Sequence, residues 1–208
     1  MQSRSARPNS RTQDQVLREM FHARKRVFVD ALGWDIPVVG GAYEMDQFDT
    51  PDATYIIVTD SHGRHRASAR LLPTEHSHIL GDLFPCLCSG PVPRSPHLRE
   101  ITRFCIEPGL PAMERRLARN QLVSALTDFA LDCSLEGYTA VASRVWFGQI
   151  ARFGWKCSAL GPPCEINREE LVGLEIRIDT NTTADLARRA IYAPVAFRVA
   201  ATEPEVVL

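Results

Sequence analysis

The sequence contains no apolar run approaching the ~20 residues that a membrane-spanning helix needs, so no membrane span is expected. It has no basic excess: 24 Lys and Arg face 25 Asp and Glu for a net charge of -1, which argues against a nucleic-acid partner. No repeat and no domain boundary interrupt its 208 residues, which suit one domain over 1–208. The polar opening, Met1 to Gln15, lacks the apolar stretch of a secretory signal, and a cytoplasmic chain is expected. Its Arg4, Arg7 and Arg11 also suit a transit peptide or a binding arm; a frayed terminus over 1–12 is the simpler reading. Six cysteines include no C-x-x-C pair, and Cys86 and Cys88 are separated by one residue. His62, His65, His76 and His78 fall at turns and loops without the spacing of a zinc site. No metal and mostly buried, reduced thiols are therefore expected.

What is present is periodicity. Val16, Leu17, Met20, Phe21, Val27, Phe28, Ala31 and Leu32 recur at helical spacing, predicting a helix over 13–32. Thr12 with Gln15 resembles a capping box, and Gly33 supplies a stop. Residues 33–52 read as loop. Strands are expected over 54–59 and 65–72, joined by a turn at Asp60-Ser61-His62-Gly63. The proline-rich stretch 73–98 is long for a loop, and such loops are usually functional or mobile. A strand over 100–106 precedes a helix over 113–136, whose apolar stripe is Met113, Leu117, Leu122, Leu126, Phe129 and Cys133. A strand over 138–143, a helix to 153, strands over 155–160 and 173–178, a short helix over 183–191 and an irregular tail over 193–208 complete the order. This is an α/β fold, one three-layer domain around a central mixed sheet.

Charged residues gather in unusual places. Arg24 and Phe28 are four apart on the opening helix, with Trp34 after it. Glu44, Asp46 and Asp49 share the next loop. Glu100, Thr102 and Arg103 interrupt a strand that should be apolar, and Arg70 does the same in its neighbour. Singly, each has a structural explanation: a solvated helix, a soluble loop, an ion pair.

Together they resemble the LuxI-type acyl-homoserine lactone synthases. That family carries an arginine, a phenylalanine four later and a tryptophan six further on, here Arg24, Phe28 and Trp34. An E-x-D-x-x-D loop follows, here Glu44, Asp46 and Asp49. Then come R-L-L-P-T, here Arg70 to Thr74, and E-[IV]-[ST]-R-F, here Glu100 to Phe104. The agreement covers residues 16–155. The resemblance implies a fold like that of the GCN5-related N-acetyltransferases, in which a pair of central strands splays into a V. It implies synthesis of an N-acyl-L-homoserine lactone, a quorum-sensing signal, from S-adenosylmethionine and an acyl thioester, with release of methylthioadenosine.

The substrate brings both nucleophiles, an α-amine and then a carboxylate, so no catalytic Ser, Cys or cofactor is expected. The amine needs a base, for which Glu100 is the first choice, with Asp46 and Asp49 as the other carboxylates and Arg70 orienting them. Phe28 and Trp34 suit the sulfonium by cation–π attraction, and Arg24 and Arg103 suit the carboxylate by a bidentate clamp. Thr102, Ser143, Trp146 and Phe147 are assigned to the acyl pocket. On a regular strand, however, Glu100 and Arg103 point to opposite faces, so a bulge or a splayed strand is required. The donor is acyl carrier protein or acyl-CoA, with Arg115, Arg116 and Arg119 as a candidate docking group for the acidic carrier. An N-acyltransferase of the GCN5-related type acting on another amine is the nearest rival. Its R/Q-x-x-G-x-G/A phosphate cradle is missing, since Gly109 is the only glycine between Glu107 and Glu114. An inactive binding module should have lost one of these charged residues, and none is lost.

Overall fold

The computed structural model describes residues 13–201. The opening helix α1 (Gln13–Arg24) buries Val16, Leu17, Met20 and Phe21, the stripe expected from periodicity. It then widens into a π-helical turn over Lys25–Ala31, a distortion that tends to occur at functional sites. Gly33 ends the segment at a left-handed φ of 68°. The proposed capping residue Thr12 lies outside the described residues.

Two short strands, β1 (Val38–Val39) and β2 (Tyr43–Glu44), pair across the 33–52 segment, which is otherwise loop. Among the described residues the main sheet has eight strands. They are β3 (Thr54–Thr59), β4 (His65–Pro73), β5 (Leu98–Ile106), β6 (Gly137–Ser143), β7 (Lys156–Ala159), β8 (Cys164–Ile166), β9 (Glu169–Arg177) and β10 (Phe197–Ala201). Their order is β10-β3-β4-β5-β6-β9-β7, with β8 also on β9. Among the described residues only β5 and β6 run parallel, so the sheet is mixed. Helix α2 (Ile79–Asp82) and α1 cover one face, and α3 (Ala112–Asp132), α4 (Arg144–Ile150) and α5 (Thr182–Arg188) cover the other. Strand β3 is buried on both sides: Ile56 and Val58 join the core under α3, while Tyr55 and Ile57 join the core under α1.

Two expectations are corrected and one unforeseen strand is added. The tail is not irregular throughout, because Phe197–Ala201 forms β10 and pairs antiparallel with β3 along its length. Strand β8 is too short to show a period, but Asn167 and Arg168 both take positive φ, the signature of a tight two-residue hairpin turn. The buried stripe of α3 begins only at Ala118, so Met113 (83% exposed) and Leu117 (50% exposed) lie outside the core.

The point that matters most is in β5. Ser68 faces Cys105 and Arg70 faces Thr102, so Ala69 opposes two residues, Arg103 and Phe104. This is a β-bulge, and Arg103 adopts φ 48° within it. Pairing of β5 with β6 also stops at Ile101↔Ala140, although β5 continues to Ile106 and β6 to Ser143. The two central strands diverge beyond that point.

Candidate active site

Because of the bulge, Arg103 turns to the same side of the sheet as Thr102 and Arg70. There the three acidic loop residues meet three guanidinium groups. Arg24 donates through Nε to Glu44 at 2.5 Å and through both Nη atoms to Asp49 at 2.8 and 2.9 Å. Arg70 grips Asp46 with two bonds of 2.6 and 3.1 Å, reaches Asp49 at 2.9 Å and donates its Nε–H to the Thr102 hydroxyl. Arg103 bonds Glu44 and Asp46, at 3.0 and 2.6 Å from Nη2. The Tyr55 hydroxyl donates to Asp49 at 2.8 Å. Burial by itself would raise the Asp49 pKa, but Arg24, its hydrogen bonds and Arg70 hold that carboxyl well below the usual carboxylate range. Burial likewise opposes the charge on Arg24, yet Asp49 and Glu44 outweigh it and raise its pKa.

This geometry corrects the role expected of Arg24. Its side chain is 1% exposed and its donors already serve two carboxylates, so it belongs to the frame and is not a free clamp. Arg103 differs: its Nη1 makes no hydrogen bond among the described residues. Its guanidinium lies 5.5 Å from the Phe28 ring centre and 5.7 Å from that of Trp34. These two rings stack at 4.9 Å, Phe28 buried and Trp34 42% exposed. The aromatic faces assigned to a sulfonium thus already hold one cation.

Glu44, Asp46 and Asp49 also lie close enough to hold a metal ion. Their oxygens are directed at three guanidinium groups, which would repel a dication.

Glu100 is fully buried under α2, and each of its oxygens accepts a backbone N–H at 2.7 Å, from Ile79 and Leu80. Burial nevertheless dominates and raises its pKa to about 7. A carboxylate oxygen has two lone pairs, so each retains capacity for one more proton donor. Thr102 faces Arg70 and the acidic loop, on the opposite side from the α3 core. Ser143 caps α4, its hydroxyl accepting the Trp146 N–H. Trp146 packs beside Phe104 and Phe153, with centroids at 5.5 and 5.9 Å, and Phe147 borders the same core. Arg115 and Arg116 are exposed, whereas Arg119 bonds Asn120 and lies over Phe153, which removes it from the outward basic group.

The sequence missed Tyr55, which looks like any aromatic residue in a buried strand. It also missed Ile79 and Leu80, whose contribution is backbone and leaves no mark on residue type.

A family profile described as autoinducer synthase matches residues 8–186. An acyl-homoserine-lactone synthase of Ralstonia nicotianae is 33% identical over 172 residues, covering 79% of this chain and 83% of that protein. TofI, solved in a ternary complex with an inhibitor and MTA, is 29% identical with a TM-score of 0.72, covering 89% of this chain and 97% of that one. An N-acetyltransferase from Lactobacillus plantarum shares the fold at a TM-score of 0.56 and 14% identity, covering 82% of this chain and 95% of that one. The chain belongs to the autoinducer synthase family and is an enzyme of the acyltransferase class.

Proposed function

We propose that the chain makes an N-acyl-L-homoserine lactone from S-adenosylmethionine and an acyl thioester. The observation that carries this reading is the β5 bulge, which sets Glu100, Thr102 and Arg103 on one side of the sheet beside the diverging strands. Glu100, with a pKa near 7, takes a proton from the α-amine. The amine attacks the thioester carbonyl, and backbone N–H groups at the bulge stabilise the oxyanion. The thiol leaves, and the methionyl carboxylate then displaces methylthioadenosine to close the lactone. Arg103 directs its free Nη1 to that carboxylate, and Phe28 and Trp34 flank the sulfonium. Asp46 and Asp49 offset the substrate's positive charge, while Arg70 and Arg24 hold them in place. Both nucleophiles belong to the substrate, so no cofactor is required. No helix among the described residues is long and apolar enough to cross a membrane, and the cytoplasm supplies both substrates. The direct test is incubation with S-adenosylmethionine and a series of acyl thioesters. Methylthioadenosine and acyl-homoserine lactone should appear together. Acylation of an added amine without methylthioadenosine would instead assign the rival N-acyltransferase activity.

The acyl group enters where β5 and β6 separate, with Ser143, Trp146 and Phe147 at the far end. A rigid indole there favours a short, branched or aromatic acyl group. Trp146→Ala should move the product profile toward longer chains, at ~1–3 kcal/mol per methylene accommodated. Product mass spectrometry against a thioester ladder measures this. An unchanged preference would return Trp146 to an ordinary packing role.

For the donor, Arg115 and Arg116 on exposed α3 suit an acidic carrier protein beside Met113 and Leu117. Reversing both arginines to Glu should raise KM for acyl carrier protein about tenfold and flatten its salt dependence. Should acyl-CoA be the better substrate, with kinetics indifferent to the reversal, this face has no role in donor binding.

A further inference from the structure

We propose that the cleft between α1 and the β3–β4 hairpin is a second ligand site, shaped for a phosphorylated small molecule of nucleotide size. The cleft is open to solvent and has a volume of about 580 Å³, within the range of small-molecule sites. It lies at the opposite end of β5 from Glu100, roughly 20 Å along the strand at ~3.3 Å per residue.

Two basic walls face each other across it. Arg18, His22 and Arg26, spaced four apart, form one wall, and Arg64 and Arg66 at the start of β4 form the other. The acids that also line it already hold donors. Glu107 accepts Arg26 Nη2 at 2.7 Å, and Asp60 holds Arg64 and the backbone of its own turn. Glu19 accepts the His65 backbone N–H. Arg18 has no ionic partner among the described residues.

Two polar atoms of the lining are buried and unpartnered. Arg26 Nε–H makes no hydrogen bond, and neither does His65 Nδ1, although Ser68 occupies the ring's other nitrogen at 2.9 Å. Glu107 lies 3.6 Å from Nδ1, an ion-pair distance when the ring is protonated, and this nitrogen donates or accepts according to the tautomer. A buried donor left without a partner keeps its full desolvation penalty, and the Arg26 Nε–H marks where an acceptor belongs. Phosphate oxygens suit an arginine with an unused edge, backed here by Arg18, whereas Arg64 and Arg66 already pair with Asp60 and Glu114. Tyr43 and Leu110 give the cleft an apolar wall for the rest of the ligand.

The test is calorimetry on the full chain with ADP, alone and with saturating S-adenosylmethionine and acyl thioester. ADP should bind one-to-one, persist beside both substrates and be displaced by pyrophosphate. Arg26→Gln should weaken it at least tenfold. Arg18→Glu, on the exposed helix surface where misfolding is not at issue, should do the same while turnover stays at the wild-type rate. Three results would each overturn the proposal: no ADP binding at millimolar concentration, displacement by either substrate, or unaltered binding in Arg18→Glu. Failure of pyrophosphate to compete would likewise remove the phosphate anchor on which it rests.

Discussion

Arg24→Ala is expected to lower the unfolding free energy by about 3–5 kcal/mol, the cost of removing one partner from a buried ion pair. The guanidinium is 1% exposed and serves both Glu44 and Asp49, so its loss leaves two carboxylates with fewer counter-charges in the interior. Arg70 and Arg103 remain, but each already shares its charge with Asp46. Trp34→Ala, at an exposed ring, should leave stability near wild type and weaken S-adenosylmethionine instead. Urea unfolding of the two variants separates these outcomes, and a loss under ~1 kcal/mol for Arg24→Ala would show that the frame does not need it. The same cage sets an acid limit. Because the Asp49 pKa is depressed on folding, its stabilisation is present above the ordinary carboxylate range and disappears as pH falls through the depressed value.

Glu100→Gln is expected to lower turnover by about 10²-fold or more and to erase the pH dependence centred near 7. Wild-type activity should rise through that pH as the carboxyl ionises, then level off. Glutamine keeps one acceptor but turns an amide donor toward the second backbone N–H of α2, so the rate must be normalised to folded protein. The stability effect follows from the same shift. The carboxyl holds its proton more tightly in the folded chain than in the unfolded one, so wild-type stability falls as pH rises from the ordinary carboxylate range through about 7, and the neutral variant gains relative stability across that window and keeps it above. Near-normal turnover, or an unaltered pH limb, would move the base role to Asp46 or Asp49.

The sequence showed the residues of the site well and their division of labour poorly. Arg24, Glu44, Asp46, Asp49, Arg70 and Arg103 were all legible, because charges in helix, loop and strand at fixed spacing are conspicuous. Which arginine retains a free edge was not legible, since that depends on how many carboxylates surround each one. The need for a bulge in β5 followed from strand alternation alone: Glu100 and Arg103 had to share a side and could not on a regular strand. Its position did not follow, because Arg103 takes a left-handed φ without a glycine to announce it. β10 was hidden for a different reason. An edge strand needs only one buried face, and Arg198, Val199 and Ala201 offer too short an alternation to separate strand from coil.

The divergence of β5 and β6 is a property of backbone. Four residue pairs, Leu98↔Gly137 to Ile101↔Ala140, join the two leaves of the sheet. Beyond them the opening is held by the bulge and by the course of each strand toward its other neighbour, β4 on one side and β9 on the other. Side chains furnish this slot without creating it. Replacing Trp146, Phe147 or Ser143 therefore alters what the slot admits without closing it, and signal chemistry can diverge between relatives while the cage that handles S-adenosylmethionine stays as it is.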